Sequence, residues 1–207
     1  MTARIQRSFD LVMGTHFTGE FYMNVYEIDI YFNVETESIK EQNIALERIK
    51  YFITECLENS IACSETETNA IENYLNASMK VCTLPEEPYD QIMGIMLMTK
   101  LNSIAEGRLV VSDISICSRM SDGVSCCQSL DDNMGPFFDK GWWSDSSTRI
   151  NSYVPKNKGR KVVRLGKPTT DWDEVYLSWQ EKPLIVKELS VSTSEIVFAQ
   201  FDNKTDK

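Results

Sequence analysis

His16 is the only histidine of the chain, so a single subunit can build few kinds of catalytic centre. An HExxH zinc site needs two histidines on one helix face, and a three-histidine zinc centre needs one more. A Ser-His-Asp triad needs a carboxylate that orients the histidine. His16 stands in a segment, residues 14–19, that has glycine at each end and therefore predicts a turn between two strands. A histidine at a loop tip can transfer a proton or bind an anion.

Three carboxylates follow His16 on the next predicted strand, and they are Glu20, Glu27 and Asp29. If the strands and the turn bring them to His16, the four residues form a candidate catalytic site for proton transfer on a small molecule. We place this hypothetical site at a boundary between subunits. The simpler interpretation is a solvated turn histidine, because the sequence shows no residue that orients the imidazole. Both interpretations stay open, and with them the question of whether the chain is an enzyme.

Four large aromatic residues lie close together in an irregular segment, residues 119–160, that is rich in Gly, Ser, Asp and Asn. They are Phe137, Phe138, Trp142 and Trp143. Large aromatic side chains are costly to leave in water, so such a cluster indicates buried surface. We interpret it as an anchor that binds a ligand or a partner subunit, or else as a loop folded over its own core.

No motif in the sequence predicts a metal site or a cofactor. The oxygen-bearing residues of the irregular segment lack the alternation of an EF-hand loop and are typical of turns. They are Asp131, Asp132, Asn133, Asp139 and Asp145. The adjacent Cys126 and Cys127 are best explained as neighbours on opposite faces of a strand, since no second pair stands at zinc-binding spacing. We expect the six cysteines of the chain to be free thiols in a reducing cytoplasm.

Charge and hydropathy argue against further classes of protein. The formal net charge is −10, and because the acidic excess lies in residues 1–150, that part should repel nucleic acid. One basic run departs from this trend, and we interpret it as a solvated linker: Lys156, Lys158, Arg160, Lys161, Arg164 and Lys167. No apolar stretch reaches the ~20 residues that span a bilayer. Asp10 interrupts the apolar run near the N-terminus, so we expect no secretory signal.

Hydrophobic periodicity predicts strands and helices in alternation along the chain. The predicted strands of the first half are residues 5–13, 20–34, 80–84 and 108–117. The predicted helices are residues 38–59, 69–75 and 88–106. Later strand signals are residues 161–165, 174–179, 184–189 and 196–201. We divide the chain into an α+β core (1–118), an irregular aromatic extension (119–160) and additional strands that pack on the core (161–207).

This order of elements predicts an α+β fold with a mainly antiparallel sheet and two to three helices on one face. One such architecture is ferredoxin-like, a unit that forms an α+β barrel when it oligomerises. Over residues 5–117 the order also resembles the T-fold, the ββααββ unit of pterin and purine enzymes, and this resemblance implies assembly into tunnels. The zinc-dependent pterin members of that family carry several histidines on and after the first strands. Here only His16 stands in that region, so the resemblance does not bring pterin-synthase chemistry to this chain.

Two elements carry more apolar surface than we expect a lone subunit to hide. The run of residues 20–34 begins apolar on both faces, with Phe21, Met23 and Val25 on one of them. The helix of residues 88–106 is apolar around much of its circumference. We therefore expect a homo-oligomer, and we interpret it as a small-ligand-binding or structural protein without evident catalytic machinery. The small-molecule enzyme with a subunit-boundary site near His16 is the alternative.

Overall fold

The computed structural model describes residues 3–153 and 171–180, which form a mixed α+β fold with a six-stranded sheet and three α-helices. The strands are β1 (Arg4–Phe17), β2 (Glu20–Val34), β3 (Ser60–Ser64), β4 (Lys80–Leu84), β5 (Leu109–Ser118) and β6 (Ser125–Ser129). The helices are α1 (Ile39–Tyr51), α2 (Thr68–Asn76) and α3 (Asp90–Ala105). The strands predicted at 161–165, 184–189 and 196–201, and the basic run, lie outside the described residues.

The strand order of the sheet is β4-β3-β1-β2-β5-β6. Strands β1, β2, β5 and β6 are neighbours in the sheet and pair antiparallel, whereas β3 and β4 run parallel to β1. The sheet is thus mainly antiparallel, as the sequence predicts. The first two strands of the sheet form a β-hairpin. The ferredoxin-like architecture is not confirmed.

The turn predicted at residues 14–19 is shorter in the structure. Strand β1 continues to Phe17, and only Thr18 and Gly19 form the turn, both with positive φ. Gly14 lies inside the strand, and it is a glycine there because a Cβ atom would meet the Phe21 ring at 2.6 Å. This glycine therefore serves close packing across the hairpin rather than chain reversal. As a result His16 belongs to the sheet and is not at a loop tip.

Helices cover both faces of the sheet, which corrects the prediction that they gather on one. Helices α1 and α3 pack on the main core together with Ala62 of β3 and Cys82 of β4. Helix α2 instead packs with Cys63 and Val81, the alternate residues of the same two strands. Side chains alternate between faces along a strand, so α2 lies on the opposite face. This follows from the parallel β3-α2-β4 unit, since parallel neighbours need a crossover connection.

Helix α3 is covered by its own chain, which removes one of the two reasons for expecting an oligomer. Residues Met93 to Met98 and Leu101 are almost completely inaccessible to solvent. The helix packs against β5, β6, α1 and the aromatic extension. The other reason remains, because Phe21 and Met23 of β2 are 45% and 64% exposed. Among the residues that the structure describes, no helix is both long and apolar enough to cross a membrane.

The aromatic extension folds back over the core and is held there by a buried lysine. Lys100 of α3 donates hydrogen bonds to the backbone oxygens of Trp142 (2.8 Å) and Asp145 (2.9 Å) and to the Asp145 carboxylate (3.0 Å). Burial lowers the pKa of Lys100, although the charge of Asp145 opposes this effect. The Trp142 indole N–H in turn donates to the Thr83 oxygen at 2.8 Å. The Lys100 side chain thus connects α3 to the extension. Trp142 of the extension is in turn bonded to β4.

Residues 171–180 are turns rather than the strand predicted at 174–179. The segment does not pair with the sheet but packs on Arg48 of α1, which contacts its tryptophan side chains and its backbone. The Arg48 guanidinium lies 4.9 Å from the centre of the Trp172 ring and 3.8 Å from that of Trp179. Its Nε donates to the Leu177 oxygen at 2.6 Å, and Nη1 donates to Glu106 at 3.0 Å.

Candidate functional site

A cavity of about 440 Å³ lies where the β1–β2 hairpin end, the first turn of α3 and the β5–β6 connection meet. We call it the end pocket. Its walls are mostly apolar and are formed by Phe17, Pro88, Tyr89, Met120, Val124 and Cys126. Its polar lining residues are Thr15, Asn24, Asp90, Gln91, Ser118 and Ser121. A concave, largely apolar cavity with a small set of convergent polar groups is the usual form of a small-molecule site.

Strand register and one tight connection position the polar groups. Asn24 of β2 pairs with Met13 of β1, so alternation places Asn24 and Thr15 on the core side of the hairpin. Ser118 ends β5 opposite Tyr26 of β2. The chain then reverses through a short 3-10 turn, where Asp122 adopts a positive φ of 52°.

Thr15 and Asn24 are both 2% exposed, and they surround the buried Tyr26 hydroxyl. The Thr15 and Tyr26 hydroxyl oxygens are 3.2 Å apart, and the Asn24 side-chain oxygen accepts from the Val25 N–H at 3.0 Å. Burial raises the pKa of Tyr26, and the hydrogen bonds from Thr15 and Asn24 oppose this rise. The tyrosine is therefore a neutral, fixed group behind the pocket lining rather than a proton acceptor at neutral pH.

Ser118 and Asp90 form the second polar group of the end pocket. The Ser118 backbone N–H donates to Oδ2 of Asp90 at 3.1 Å. The Ser118 side chain is different: the residue is 3% exposed, and its hydroxyl has no hydrogen-bond partner among the described residues. A buried hydroxyl without a partner costs about 1–3 kcal/mol. The hydroxyl oxygen is closed to solvent, so a rotation of the Ser118 side chain toward the cavity would be needed for a ligand to recover that free energy.

His16 lies on the opposite face of β1 from the end pocket and has partners that the sequence did not reveal. Its Nδ1 is 2.9 Å from the Tyr74 hydroxyl, and its Nε2 is 3.9 Å from a carboxylate oxygen of Glu67. Tyr74 belongs to α2, and Glu67 directly precedes that helix. The residue is 7% exposed, so the imidazole is an oriented and nearly buried group rather than a solvated one.

The structure does not bring the predicted carboxylates to His16. Glu20 accepts a hydrogen bond from the Tyr22 hydroxyl (2.5 Å), and Asp29 accepts one from Ser8 (2.5 Å). Glu27 faces Asp10 across the hairpin, six residues along β1 from His16. At about 3.3 Å per residue this is roughly 20 Å. The carboxylate that the structure places beside His16 is that of Glu67.

The four predicted aromatic anchors differ in how much of each side chain is exposed. Phe137, Trp142 and Trp143 are buried in the main core, whereas Phe138 is 75% exposed. Phe137 packs edge-on against Trp143 with 5.0 Å between ring centres. The first three therefore agree with the interpretation of the cluster as a loop folded over its own core. Only Phe138 presents an open aromatic surface.

No group of three or more His, Cys, Asp or Glu side chains in residues 3–153 and 171–180 is arranged to hold a metal ion. The predicted oxygen-bearing residues serve turns and Lys100, since Asp132 accepts from the Ser129 N–H and Asn133 from the Gly135 N–H. Burial raises the pKa of Asp145, but the hydrogen bonds from Ser147 and the hydrogen bond and charge of Lys100 outweigh it and leave the pKa below its ordinary value.

The six cysteines are free thiols, as predicted. Burial raises the pKa of Cys63 to about 12 and that of Cys56 to about 11, so neither is a ready nucleophile. Cys126 and Cys127 are neighbours on β6, where Cys126 lines the end pocket and Cys127 is exposed.

Comparisons with known proteins give weak structural likenesses. No protein-family model and no curated protein matches the sequence. The uncharacterized protein WS1659 from Wolinella succinogenes is similar with a TM-score of 0.48 at 10% identity, over 63% of this chain and 99% of that one. Two structures of 6-pyruvoyltetrahydropterin synthase from Plasmodium vivax, one a catalytic-residue mutant, have TM-scores of 0.39 at 10% identity with the same coverage. The function of this chain must therefore be argued from its own residues.

Proposed function

We propose that this chain is a small-ligand-binding protein and that its ligand occupies the end pocket. The unpaired, buried hydroxyl of Ser118 is the observation that carries the proposal. Folding leaves that hydroxyl without a partner at a cost of about 1–3 kcal/mol, and a bound molecule is the simplest source of one. The apolar walls suit a single ring or a short hydrocarbon body, while Asn24, Asp90 and Ser118 select its polar groups.

Filling the end pocket should abolish binding, and β6 offers a matched control. Cys126→Phe places a ring in the pocket, whereas Cys127→Phe places the same ring on the opposite face of the strand. We expect single-ring compounds, titrated while the backbone amides are followed by NMR, to shift Thr15, Asn24 and Ser118. The Cys126→Phe protein should lose these shifts, and the Cys127→Phe protein should keep them. Equal responses from both variants would contradict the proposal.

Assembly into a homo-oligomer is part of the proposal. It is supported by Phe21 and Met23, whose side chains form an exposed apolar pair on the face of β2 opposite the main core. Four antiparallel strands interrupted by α1 and α3 follow the ββααββ order, which we favour over the ferredoxin-like alternative. Sedimentation velocity at micromolar concentration checks this point, and a monomer there would count against it. The free thiols favour a reducing compartment such as the cytoplasm.

A second candidate function is catalysis at His16. The observation in its favour is the imidazole fixed by Tyr74 at 2.9 Å with Glu67 at 3.9 Å, an arrangement that can hold and pass a proton. This site and the end pocket lie on opposite faces of β1, so one ligand would not reach both. Replacing His16 with glutamine separates the two candidates, because it removes the imidazole and leaves the residues that line the end pocket in place. A ligand of the end pocket should bind the His16→Gln protein as tightly as the parent, whereas a ligand of a site at His16 should bind it more weakly.

A further inference from the structure

The end pocket contains a single charged side chain among the described residues that line it, and that side chain is the carboxylate of Asp90. None of the described residues of its lining is a lysine or an arginine. Oδ2 of Asp90 accepts from the Ser118 N–H at 3.1 Å, and within the described part of the chain Oδ1 has no hydrogen-bond partner. The pocket thus offers the half-buried carboxylate of Asp90 between apolar walls, and the unpaired Ser118 hydroxyl is buried beside it.

We infer that the ligand of the end pocket is an organic monocation, an amidinium or primary ammonium group on an apolar body. This inference rests on the proposed function and names the chemistry of its ligand. A cationic N–H group forms a charge-assisted hydrogen bond with the open oxygen of Asp90, and such bonds are about twice as strong as neutral ones. A second N–H of the same group can donate to the Ser118 hydroxyl once that side chain rotates toward the cavity.

The surroundings of Asp90 strengthen the preference for a cation. Phe17 and Tyr89 form part of the wall, with 4.9 Å between their ring centres, and aromatic faces attract organic cations. The formal net charge of the chain is −10, which raises the local concentration of cations around it. Apolar walls weaken the screening of the carboxylate by water, so its attraction for a cation acts at greater strength.

An anionic ligand is the competing interpretation, because α3 begins beside the pocket and helix N-termini attract anions. Tyr89 provides no side-chain cap, so the first N–H groups of α3 are available. Asp90 stands in that first turn, however, and its carboxylate is the negative charge that the helix end already stabilises. A second anion would be repelled by it with no lysine or arginine of the pocket lining to compensate.

The test uses three probes of one shape: benzamidine (cation), benzamide (neutral) and benzoate (anion), measured on the full chain by calorimetry. We expect benzamidine to bind at least ~10-fold more tightly than either of the others. The Asp90→Asn variant keeps an oxygen for the Ser118 N–H but loses the charge, so its affinity for benzamidine should fall ~10-fold or more. Its affinity for benzamide should stay unchanged.

The control is Asp122→Asn, which removes the same charge from an exposed residue of the β5–β6 connection outside the pocket lining. Its affinity for benzamidine should match that of the unmodified chain, and an equal loss in both variants would overturn the inference. Benzamide or benzoate binding as tightly as benzamidine would also overturn it, yet would leave the proposed function standing. Binding by none of the three, with no amide shifts at Thr15 or Ser118, would count against both.

Discussion

Replacing Lys100 with alanine is expected to lower the free energy of unfolding by about 3 kcal/mol, because it removes a buried side chain and the donor of three hydrogen bonds. The ammonium group is fully buried and donates to three oxygens, two of them on the backbone of the aromatic extension. Without it, the Trp142 and Asp145 oxygens lose their donor in the protein interior. The truncation also leaves a cavity beside Phe52 and Trp142, whose ring centres lie 5.5 Å from the ammonium nitrogen.

Chemical denaturation followed by tryptophan fluorescence measures this effect. Lys50→Ala is the matched control, since it removes an equal side chain from an exposed position of α1. We expect that variant to differ from the parent by less than ~0.5 kcal/mol. If Lys100→Ala unfolds at the same denaturant concentration as Lys50→Ala, the buried lysine does not hold the extension to the core.

Replacing Arg48 with alanine is expected to cost about 2–4 kcal/mol and to release residues 171–180 from α1. The Arg48 side chain is 3% exposed, and its guanidinium lies 3.8 Å from the centre of the Trp179 ring. The Arg108 guanidinium lies 4.4 Å from the same ring centre. Burial lowers the pKa of Arg48, while the hydrogen bond and charge of Glu106 oppose this effect. Its removal therefore ends several contacts at once and leaves the Leu177 oxygen without its donor.

Limited proteolysis reports this release most clearly, because cleavage within 171–180 requires that the segment leave α1. Arg48→Lys should be cleaved nearly as fast as Arg48→Ala, since a lysine cannot reproduce the planar contacts with two indole rings. Arg7→Ala, at an exposed position of β1, should be cleaved like the parent. Equal cleavage of all three variants would mean that the tryptophans dock without the arginine.

Local patterns predict most of the secondary structure and fail where the reason is tertiary. The β-rich run to Val34, the helix start at Ser38, whose side chain accepts from the Glu41 N–H, and the helix before Gly107 follow from periodicity and capping. Strand β3 is not predicted from the sequence because Ser60–Ser64 consists of small residues and a single β-branched one. Its position beside β1 depends on long-range pairing that no local window records.

The site depends still more on the fold. His16 is oriented by Tyr74, 58 residues away in the chain, so no spacing rule connects the two. Asp90 and Ser118 meet only because α3 packs against β5. One local signal exists: Asn24 interrupts the apolar alternation of Tyr22, Tyr26 and Ile28 on one face of β2. A polar residue at such a core position indicates either a buried hydrogen-bond network or a ligand.

The most direct test of the account is the free energy of unfolding of Ser118→Ala, measured with and without saturating benzamidine. An unpaired hydroxyl contributes nothing to the empty protein, so the variant should be as stable as the parent or more stable. A ligand adds stability in proportion to the logarithm of its concentration over the dissociation constant, so benzamidine should stabilise the parent more than the variant. A variant that is less stable without benzamidine by ~1 kcal/mol, and gains as much from benzamidine as the parent does, would contradict the account.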